Sequence, residues 1–450
     1  MKHLYHGSAL DPTVPVGSWW SETLPAVATY PALSGEVDTE VAIIGGGYTG
    51  LSAAYHLARD HGIAAAVLER AHPGWGASGR NAGFCCMGSA RLPWDRLVAR
   101  YGLDEARRFW RSQENSVELV AEVIAREGID VEKTGGGEIT LAHLPSRAGS
   151  IKEEADYLDA TFGATHVFLS KRDLAERGLN SPRLYAGVLN PVGFGLNPWK
   201  YVNGLAAAAR AAGARIHGGS EVLRWTRSGA RHELVTPAGR VRAGKVLIAT
   251  AAYTPEDLHE DFGGRVLPAL SSIVVSRPLT RDELSLQGWS DTTPACDSRH
   301  LLHYFRLLPD GRFLFGGRGG LSAAPEMLAR QLARIEASFR RYFPAWSGVE
   351  ITHRWSGLVC LAADLVPHVG AWAEQPGTYF ALCYHGNGVA MGTWAGRAAA
   401  RVIAGVPGKA GEDDRAEFIR RPPPRFPLAF LRPLYLRGAY LKYGIDDVMP

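Results

Sequence analysis

Residues 41–69 read VAIIGGGYTGLSAAYHLARDHGIAAAVLE: an apolar run, a glycine-rich turn, a helical segment and a second apolar run in succession. Gly45, Gly47 and Gly50 have the G-x-G-x-x-G spacing, and they stand where the first strand gives way to a helix. Glu69 closes the second run, about twenty residues further on, as dinucleotide-binding folds require. The stretch therefore predicts a strand, turn, helix and strand that bind a dinucleotide.

Each glycine of this turn is needed for a different physical reason. Gly45 permits the tight turn, Gly47 leaves no side chain where the backbone approaches a pyrophosphate, and Gly50 lets helix and strand pack closely. The helix begins with Tyr48 and Thr49, and its first N–H groups carry a partial positive charge that favours phosphate. We therefore predict that all five residues contact the cofactor.

The acidic residue at the end of the second strand narrows the choice of dinucleotide. Glu69 is predicted to accept hydrogen bonds from the adenosine ribose hydroxyls, and Arg70 is assigned to the same site. An acid at this position disfavours a 2′-phosphate, and therefore NADP. The turn by itself leaves FAD and NAD open.

Length and composition indicate an ordinary globular protein. The chain has 450 residues, 46% of them hydrophobic and 21% charged, so we expect two interlocked domains. No apolar run approaches the length that a membrane span needs. The first twenty residues contain Pro and Asp where a secretory signal would be apolar, so a cytoplasmic location is expected.

The cysteines and the net charge argue against a metal site, a disulfide framework and a nucleic-acid partner. The five cysteines have neither the spacing of a zinc site nor that of a disulfide framework, so no metal is predicted. A net charge of only +4 gives no reason to expect a nucleic-acid partner. Arginine greatly outnumbers lysine, which favours contacts with small anions.

Four further stretches carry a resemblance to a known family. They are GWGASGRNAGF at 74–84, HYFRLLPDGRFLFGGR at 303–318, RWSGLVCLAADLVPHVG at 354–370 and CYHGNGVAMGTWAG at 383–396. Together with VLIATAAYT at 246–254, they resemble, in order, the D-amino acid oxidase-like FAD oxidoreductases, and most of all the gamma-glutamylputrescine oxidase branch. The resemblance spans about Val41 to Gly405, and it implies that the dinucleotide is FAD.

The resemblance also implies which residues hold the flavin. Glycines let the backbone pass close to a flat ring system, Ser, Arg and Asn can bond phosphate and flavin polar atoms, and a helix beginning near Val389 aims N–H groups at the ring. The residues assigned on this basis are Gly76, Ala77, Ser78, Gly79, Arg80, Asn81, Gly83, Val222, Thr250, Gly357, Gly386, Asn387, Gly388 and Val389.

The expected fold is α/β, with a Rossmann-like FAD-binding βαβ domain of the glutathione reductase type interleaved with an antiparallel α+β substrate domain. Alternation at 267–278 and 312–317 supports the antiparallel sheet. The predicted boundaries are an amino-terminal arm at 1–37, an FAD-binding domain at 38–92, 193–262 and 352–405, a substrate domain at 93–192 and 263–351, and a carboxyl-terminal strap at 406–450.

By the same resemblance, the protein is expected to oxidise a C–N bond of an amine or amino acid, of the secondary amine or gamma-glutamyl amine type. Hydride would pass to flavin N5, and water would hydrolyse the resulting imine. Four residues are assigned to orient the substrate: Tyr304, Arg306, Arg318 and His385. The second partner would be O2 or another electron acceptor.

Two alternatives remain open at this point. One is an FAD dehydrogenase of D-amino acids that passes electrons to a quinone or carrier, because sarcosine oxidases keep a lysine where this chain has Leu314. The chain has no lysine between Lys245 and Lys409. The other is a flavin-binding partner protein without turnover. Asp364 and Leu365 also replace the Asn-Arg expected in the putrescine-type relatives.

Two further predictions concern Cys360 and the carboxyl-terminal tail. Cys360 lies near the place where some relatives attach flavin covalently, but a buried free thiol is the expected state here. The tail at 420–443 combines Pro, Arg and aromatic residues. We expect it to lie as an apolar strap on the body, without membrane contact, because Pro prevents a long amphipathic helix.

Overall fold

The strands form two large sheets and one small one. The computed structural model describes residues 4–5, 7–24, 26–406 and 414–449. In chain order the strands are β1 Gly35–Ile44, β2 Ala66–Leu68, β3 Phe84–Cys86, β4 Glu138–Leu141, β5 Val167–Leu169, β6 Gly187–Asn190, β7 Gly193–Gly195, β8 Arg215–His217, β9 Arg224–Ser228, β10 Arg231–Val235, β11 Gly239–Ile248, β12 Leu267–Ser276, β13 Ala295–Asp297, β14 His303–Leu307, β15 Phe313–Arg318, β16 Ile351–Leu361, β17 His368–Ala371 and β18 Thr378–Leu382.

The α-helices lie between and around these sheets. In chain order they are α1 Tyr48–His61, α2 Trp94–Tyr101, α3 Leu103–Glu127, α4 Arg147–Phe162, α5 Lys171–Glu176, α6 Pro198–Ala211, α7 Arg281–Gln287, α8 Pro325–Tyr342, α9 Ala390–Ile403 and α10 Arg432–Asp446.

The first sheet has the order β17-β18-β11-β1-β2-β8, and β9 and β10 extend it as an antiparallel pair beside β11. β1 pairs in parallel with both β2 and β11. Its residues Val41–Ile44 are buried, as expected for a strand covered on both faces. The predicted strand, turn, helix and strand are confirmed as β1, α1 and β2.

The second sheet has the order β16-β12-β15-β14-β13-β4-β6-β5. All of its pairs are antiparallel except β4 with β13. The alternating runs at 267–278 and 312–317 become β12 and β15, which pair with each other. The predicted combination of a βαβ domain and an antiparallel-sheet domain is therefore confirmed.

One predicted boundary differs from the structure. We assigned 352–405 to the FAD-binding domain, but β16 pairs with β12 from Leu361 opposite Leu267 to Ile351 opposite Ser276. Residues 351–361 therefore belong to the second sheet. The resemblance implied that this segment reaches the cofactor, whereas sheet membership is decided by backbone hydrogen bonds with a partner that lies far away in sequence.

The two ends of the FAD-binding region meet in one helix pair. Ser52 on α1 donates a hydrogen bond to the Thr393 carbonyl on α9 over 2.6 Å. A Cβ added at Gly396 would lie 2.6 Å from the Ser52 Cβ, so the helices touch through small residues. The amino-terminal arm packs on the same body: Trp20 is buried and donates its indole N–H to the Asn81 carbonyl over 2.9 Å.

The carboxyl-terminal tail corrects another expectation. We predicted a strap in which proline prevents a long helix, yet Arg432–Asp446 forms the helix α10. Pro433 lies in its first turn, where the missing N–H costs nothing. Residues 407–413 and 450 of the predicted strap lie outside the described residues. Among the described helices, none is long and apolar enough to cross a membrane.

Candidate active site

A cavity of about 890 Å³ lies between the two sheets. It begins at the turn after β1, passes the segment after β2, and reaches the cleft-facing side of β12, β14 and β15. The predicted cofactor residues that line it are Gly45, Gly47, Tyr48, Thr49, Glu69, Arg70, Gly76, Ala77, Ser78, Arg80, Asn81, Val222, Thr250, Gly357, Gly386, Asn387, Gly388 and Val389. Most of the residues assigned from sequence thus surround one space.

The glycine turn is shaped as its spacing predicts. Gly45 has a φ of 109°, and a Cβ there would lie 2.7 Å from the Ala249 carbonyl oxygen. A Cβ at Gly50 would overlap the Gly45 carbonyl oxygen, so this glycine allows helix and strand to approach. Gly47 precedes α1, and its missing side chain leaves room for Ser78 Oγ, which a Cβ would meet at 2.8 Å.

Glu69 is held by the backbone of the turn that it faces. Its carboxylate accepts hydrogen bonds from the Gly46 N–H over 2.7 Å and from the Ala71 N–H over 3.0 Å. Burial raises its pKa, and these two hydrogen bonds oppose that rise. Arg70 forms an ion pair of 3.0 Å with Glu221. The acid is thus fixed at the cavity wall, where it can meet a ribose.

The segment after β2 supports the turn. Ser78 Oγ accepts a hydrogen bond from the Tyr48 N–H over 3.0 Å, and the Asn81 amide donates to the Ser78 carbonyl over 2.9 Å. Arg80 donates from Nε to the Trp75 carbonyl over 2.7 Å, and its guanidinium lies over the Trp75 ring. The same residues that would contact a dinucleotide therefore also fix one another.

Three predicted cofactor glycines serve the protein interior instead. Gly50, Gly79 and Gly83 are not among the cavity-lining residues of the described chain. A Cβ at Gly79 would lie 2.8 Å from the Trp199 ring, and one at Gly83, where φ is 74°, would overlap the Leu196 carbonyl oxygen. We correct their assignment: they are needed for close packing, and the spacing alone could not reveal which neighbour required them.

The closing segment lies at the start of α9. Gly386 has a φ of 116°, Val389 is the residue before the first turn, and the helix runs from Ala390. Asn387 donates its amide to the Met87 carbonyl, which ties this loop to the segment after β3. A helix N-terminus facing the cavity suits an electron-rich ring edge. The turn, the fixed acid and this helix start together fit FAD.

Tyr304 and Arg318 face the cavity from the second sheet. Tyr304 lies opposite Gly316, two residues before Arg318, so both side chains are on one face. The Tyr304 hydroxyl is 2.7 Å from Ser271 Oγ. Burial raises the pKa of Tyr304 to about 12, so it remains a neutral hydrogen-bonding group.

Arg306 does not fulfil its predicted role. Its guanidinium donates to the Leu196 carbonyl over 2.6 Å and to Thr134 Oγ1 over 3.3 Å, and it lies over the Trp20 ring. Arg306 is absent from the cavity lining in the described chain. Its donors instead join the sheet to the arm and to the segment before α6.

His385 is also corrected. Its ring is buried: Nδ1 lies 3.0 Å from the Ser89 carbonyl, and Nε2 accepts the Ala362 N–H over 3.1 Å. Burial lowers the pKa of His385 to about 3, so the ring is neutral. With both nitrogens occupied, the side chain holds the closing loop, and only its backbone carbonyl faces the substrate side.

A pH-dependent stability difference follows from this buried ring. Unfolding restores an ordinary histidine with a pKa near 6.5, so His385 stabilises the fold fully above that pH and progressively less as the pH falls towards 3. Between pH 6.5 and 5.5 the wild type should lose about 1 kcal/mol relative to His385→Gln. Urea unfolding of both flavin-saturated proteins measures this, and an identical pH dependence would contradict it.

No sequence motif indicates Arg91 as a site residue. Arg91 Nε and Arg318 Nη2 donate to the same His385 carbonyl, over 3.3 and 2.9 Å. In the described chain neither guanidinium forms an ion pair with a carboxylate. Burial lowers the pKa of Arg318 to about 9, and the nearby charge of Arg91 adds to that effect. Glu138 also lines the cavity and its charge acts on Arg91, but it forms no ion pair with either guanidinium, and two such donors indicate a site for an anion.

Two other predictions concern individual side chains. Cys360 is buried at the cavity wall with Sγ 3.4 Å from Cys383 Sγ, and both are free thiols. Leu314, at the position of the lysine in sarcosine oxidases, is buried opposite Val275.

The sequence of the chain is similar to those of known proteins. The family model described as FAD dependent oxidoreductase matches residues 40–402. The chain is 30% identical to the probable oxidoreductase OrdL of Rhizobium meliloti, over 88% of this chain and 90% of that one. It is 28% identical to the gamma-glutamylputrescine oxidoreductase of Escherichia coli, over 86% and 89%.

A solved structure has the same fold. The glycine oxidase of Bacillus cereus superposes with a TM-score of 0.65 and 23% identity, over 84% of this chain and 98% of that one. The comparison supports the arrangement of the two sheets around one cavity.

Proposed function

The chain belongs to the family of FAD-dependent oxidoreductases that act on amines and amino acids, and on that premise we propose that it oxidises the C–N bond of a carboxylate-bearing amine. The substrate would be of the secondary amine or gamma-glutamyl amine type. The relatives support the reaction class, and the names of the glycine oxidase and the gamma-glutamylputrescine oxidoreductase support an amine substrate.

One observation supports a carboxylate on the substrate. Arg318 and Arg91 both donate to the His385 carbonyl beside the closing loop, and no carboxylate of the described residues forms an ion pair with either of them. A carboxylate placed between them would accept charge-assisted hydrogen bonds from two forks. This anchor fixes one end of the substrate.

The chain's own residues would then orient the reacting carbon. Bound FAD would supply the oxidant, accepting a hydride at N5 from the carbon that carries the neutral amine, and water would hydrolyse the imine released. Tyr304 stands two residues along the same face from Arg318, where its hydroxyl can bond the amine side of the substrate. Positioning and electrostatics are the contributions that a protein makes to such chemistry.

Anaerobic mixing with a panel of amines tests the proposal. A substrate should bleach the visible flavin spectrum, and carboxylated secondary amines or gamma-glutamyl amines should do so more effectively than amines that lack a carboxylate. If no amine of the panel bleaches a fully flavin-loaded protein, the proposed reaction is wrong. That result would favour a flavin-binding partner protein without turnover.

The identity of the electron acceptor is a separate prediction. Because Leu314 is buried and apolar, where sarcosine oxidases keep a lysine, we expect slow reoxidation of the reduced protein by air. Stopped-flow mixing with oxygenated buffer measures this rate, and a soluble quinone analogue serves as the comparison. Reoxidation by oxygen as fast as by the quinone would exclude the dehydrogenase alternative.

A further inference from the structure

The helix α10 is fastened at both ends by buried polar groups. At its start, Arg432 pairs with Glu256 through both terminal nitrogens and is 3% exposed. After its end, the Asp447 carboxylate accepts the N–H groups of His300 over 2.7 Å and of Leu301 over 3.0 Å. A buried ion pair and a fully hydrogen-bonded carboxylate fix a segment more firmly than exposed contacts do.

Between these anchors, one face of α10 forms a wall of the cavity. Leu436, Ala439, Tyr440 and Tyr443 line it, at the three- and four-residue spacing of a single helix face. Leu436 packs in one buried cluster with residues of β12, and Tyr443 stacks on His300 with ring centroids 5.0 Å apart. The tail is therefore part of the cavity.

Tyr440 lines the same cavity as Arg318, the proposed carboxylate anchor. Burial raises the pKa of Tyr440 to about 12, so its hydroxyl stays neutral, and the positive charge of Arg318 acts against that rise. A neutral aromatic side chain thus shares the cavity with the guanidinium that would hold a substrate.

One part of the cavity lining is apolar, whereas Arg91, Glu138 and Arg299 make another part charged. Leu267 and Leu270 of β12, and Leu301 and Leu302 before β14, line the cavity together with the inner face of α10. None of these four side chains can bond a charged group. A substrate held by its carboxylate at Arg318 would place its substituent against leucine and tyrosine.

The wall is an addition to the matched family region. The family model ends at residue 402, and α10 begins at Arg432. Differences in substrate choice between this chain and its relatives can therefore reside in a segment that the family pattern does not specify.

We propose that α10 is the specificity-determining wall of the active site, and that it selects a carboxylate-bearing amine with an apolar substituent packed against Tyr440 and Tyr443. The inference rests on the proposed function, because it takes the Arg318 carboxylate anchor from it. It goes further by naming the substituent as apolar and uncharged, which narrows the proposed substrate to the secondary amine type, because a gamma-glutamyl group is polar and charged.

Binding of unreactive carboxylates tests the wall without turnover. Acetate, butanoate and hexanoate are titrated into the flavin-loaded protein, and the shift of the flavin absorption spectrum gives each Kd. Burial of one methylene group is worth about a fourfold gain in affinity, so Kd should fall by about that factor per added group. The ligand 6-aminohexanoate should bind more weakly than hexanoate, because its charged end would meet the apolar wall.

The matched variants are Tyr440→Ala and Leu441→Ala, which are consecutive residues of α10, of which Tyr440 alone lines the cavity. Leu441 is 70% exposed, so its removal should leave the trend unchanged. In Tyr440→Ala the gain per methylene should fall below about twofold, since the substituent loses a contact surface. Flavin content and Tm of both variants show whether the fold is intact.

Three results would overturn the inference: no dependence on chain length in the wild type, an unchanged trend in a folded Tyr440→Ala, or tighter binding of 6-aminohexanoate than of hexanoate. The proposed function fails separately. A different result would be that no amine bleaches the flavin, while the carboxylates still show the length trend and its loss in Tyr440→Ala. That result would support α10 as a wall of the binding site and contradict the proposed oxidation of an amine.

Discussion

Gly47→Val is expected to give a folded protein that binds FAD at least about 100-fold more weakly than the wild type. The new side chain would stand 2.8 Å from Ser78 Oγ, which now accepts the Tyr48 N–H, and it would project where the backbone must approach a pyrophosphate. Loss of two charge-assisted hydrogen bonds to phosphate, each worth about 1.5–3 kcal/mol, accounts for an effect of that size.

Flavin titration of the stripped protein, followed by fluorescence quenching, measures this affinity. Gly348→Val is the matched control, because a Cβ at Gly348 meets nothing within 4 Å. The control should bind flavin normally. Retention of wild-type affinity by a folded Gly47→Val would remove the turn after β1 from the cofactor site.

Arg318→Ala is expected to raise the apparent KM for carboxylated amines by about 100-fold, with a smaller change for amines without a carboxylate. The guanidinium faces the cavity without an acidic partner, and its removal deletes hydrogen bonds to a charged group worth about 1.5–3 kcal/mol. Arg318→Lys should recover part of the affinity, because it retains the charge but loses the fork.

Steady-state kinetics on a matched pair of substrates, with and without the carboxylate, separates this role from a general defect. Arg306→Lys gives the comparison on the same face of the sheet, since Arg306 bonds the Leu196 carbonyl away from the cavity. An equal loss for both substrates in Arg318→Ala would contradict the anchor.

The local parts of the site could be predicted from sequence. Short sequence patterns identify the glycine turn after β1, the acid after β2 and the glycine-rich loop before α9. All three features contribute residues to the cavity lining. The resemblance assigned Tyr304, Arg306 and Arg318 to the substrate, and the structure has all three on one face of the second sheet. The resemblance could not tell which of them faces empty space, because that depends on what the arm and the segment before α6 bring against the sheet.

The parts that sequence could not supply depend on contacts between distant segments. Arg91 follows no motif, and it reaches the site because its backbone N–H bonds the Leu365 carbonyl. His385 was predicted to orient the substrate, but both of its ring nitrogens bond backbone groups inside the protein, those of Ser89 and Ala362. The tail was predicted from its prolines, whereas the position of Pro433 in a first helical turn makes it compatible with α10.

The contact between α1 and α9 also bears on how the protein is made. Residues 48–61 and 390–403 pack through Gly396 and the Ser52 hydroxyl, and the cavity is bounded by the turn before one helix and the loop before the other. A nascent chain therefore cannot enclose a dinucleotide until nearly all of it has left the ribosome. Loading with the prosthetic group should be a late event in biosynthesis, and shortage of flavin should leave mature-length polypeptide vulnerable to proteases.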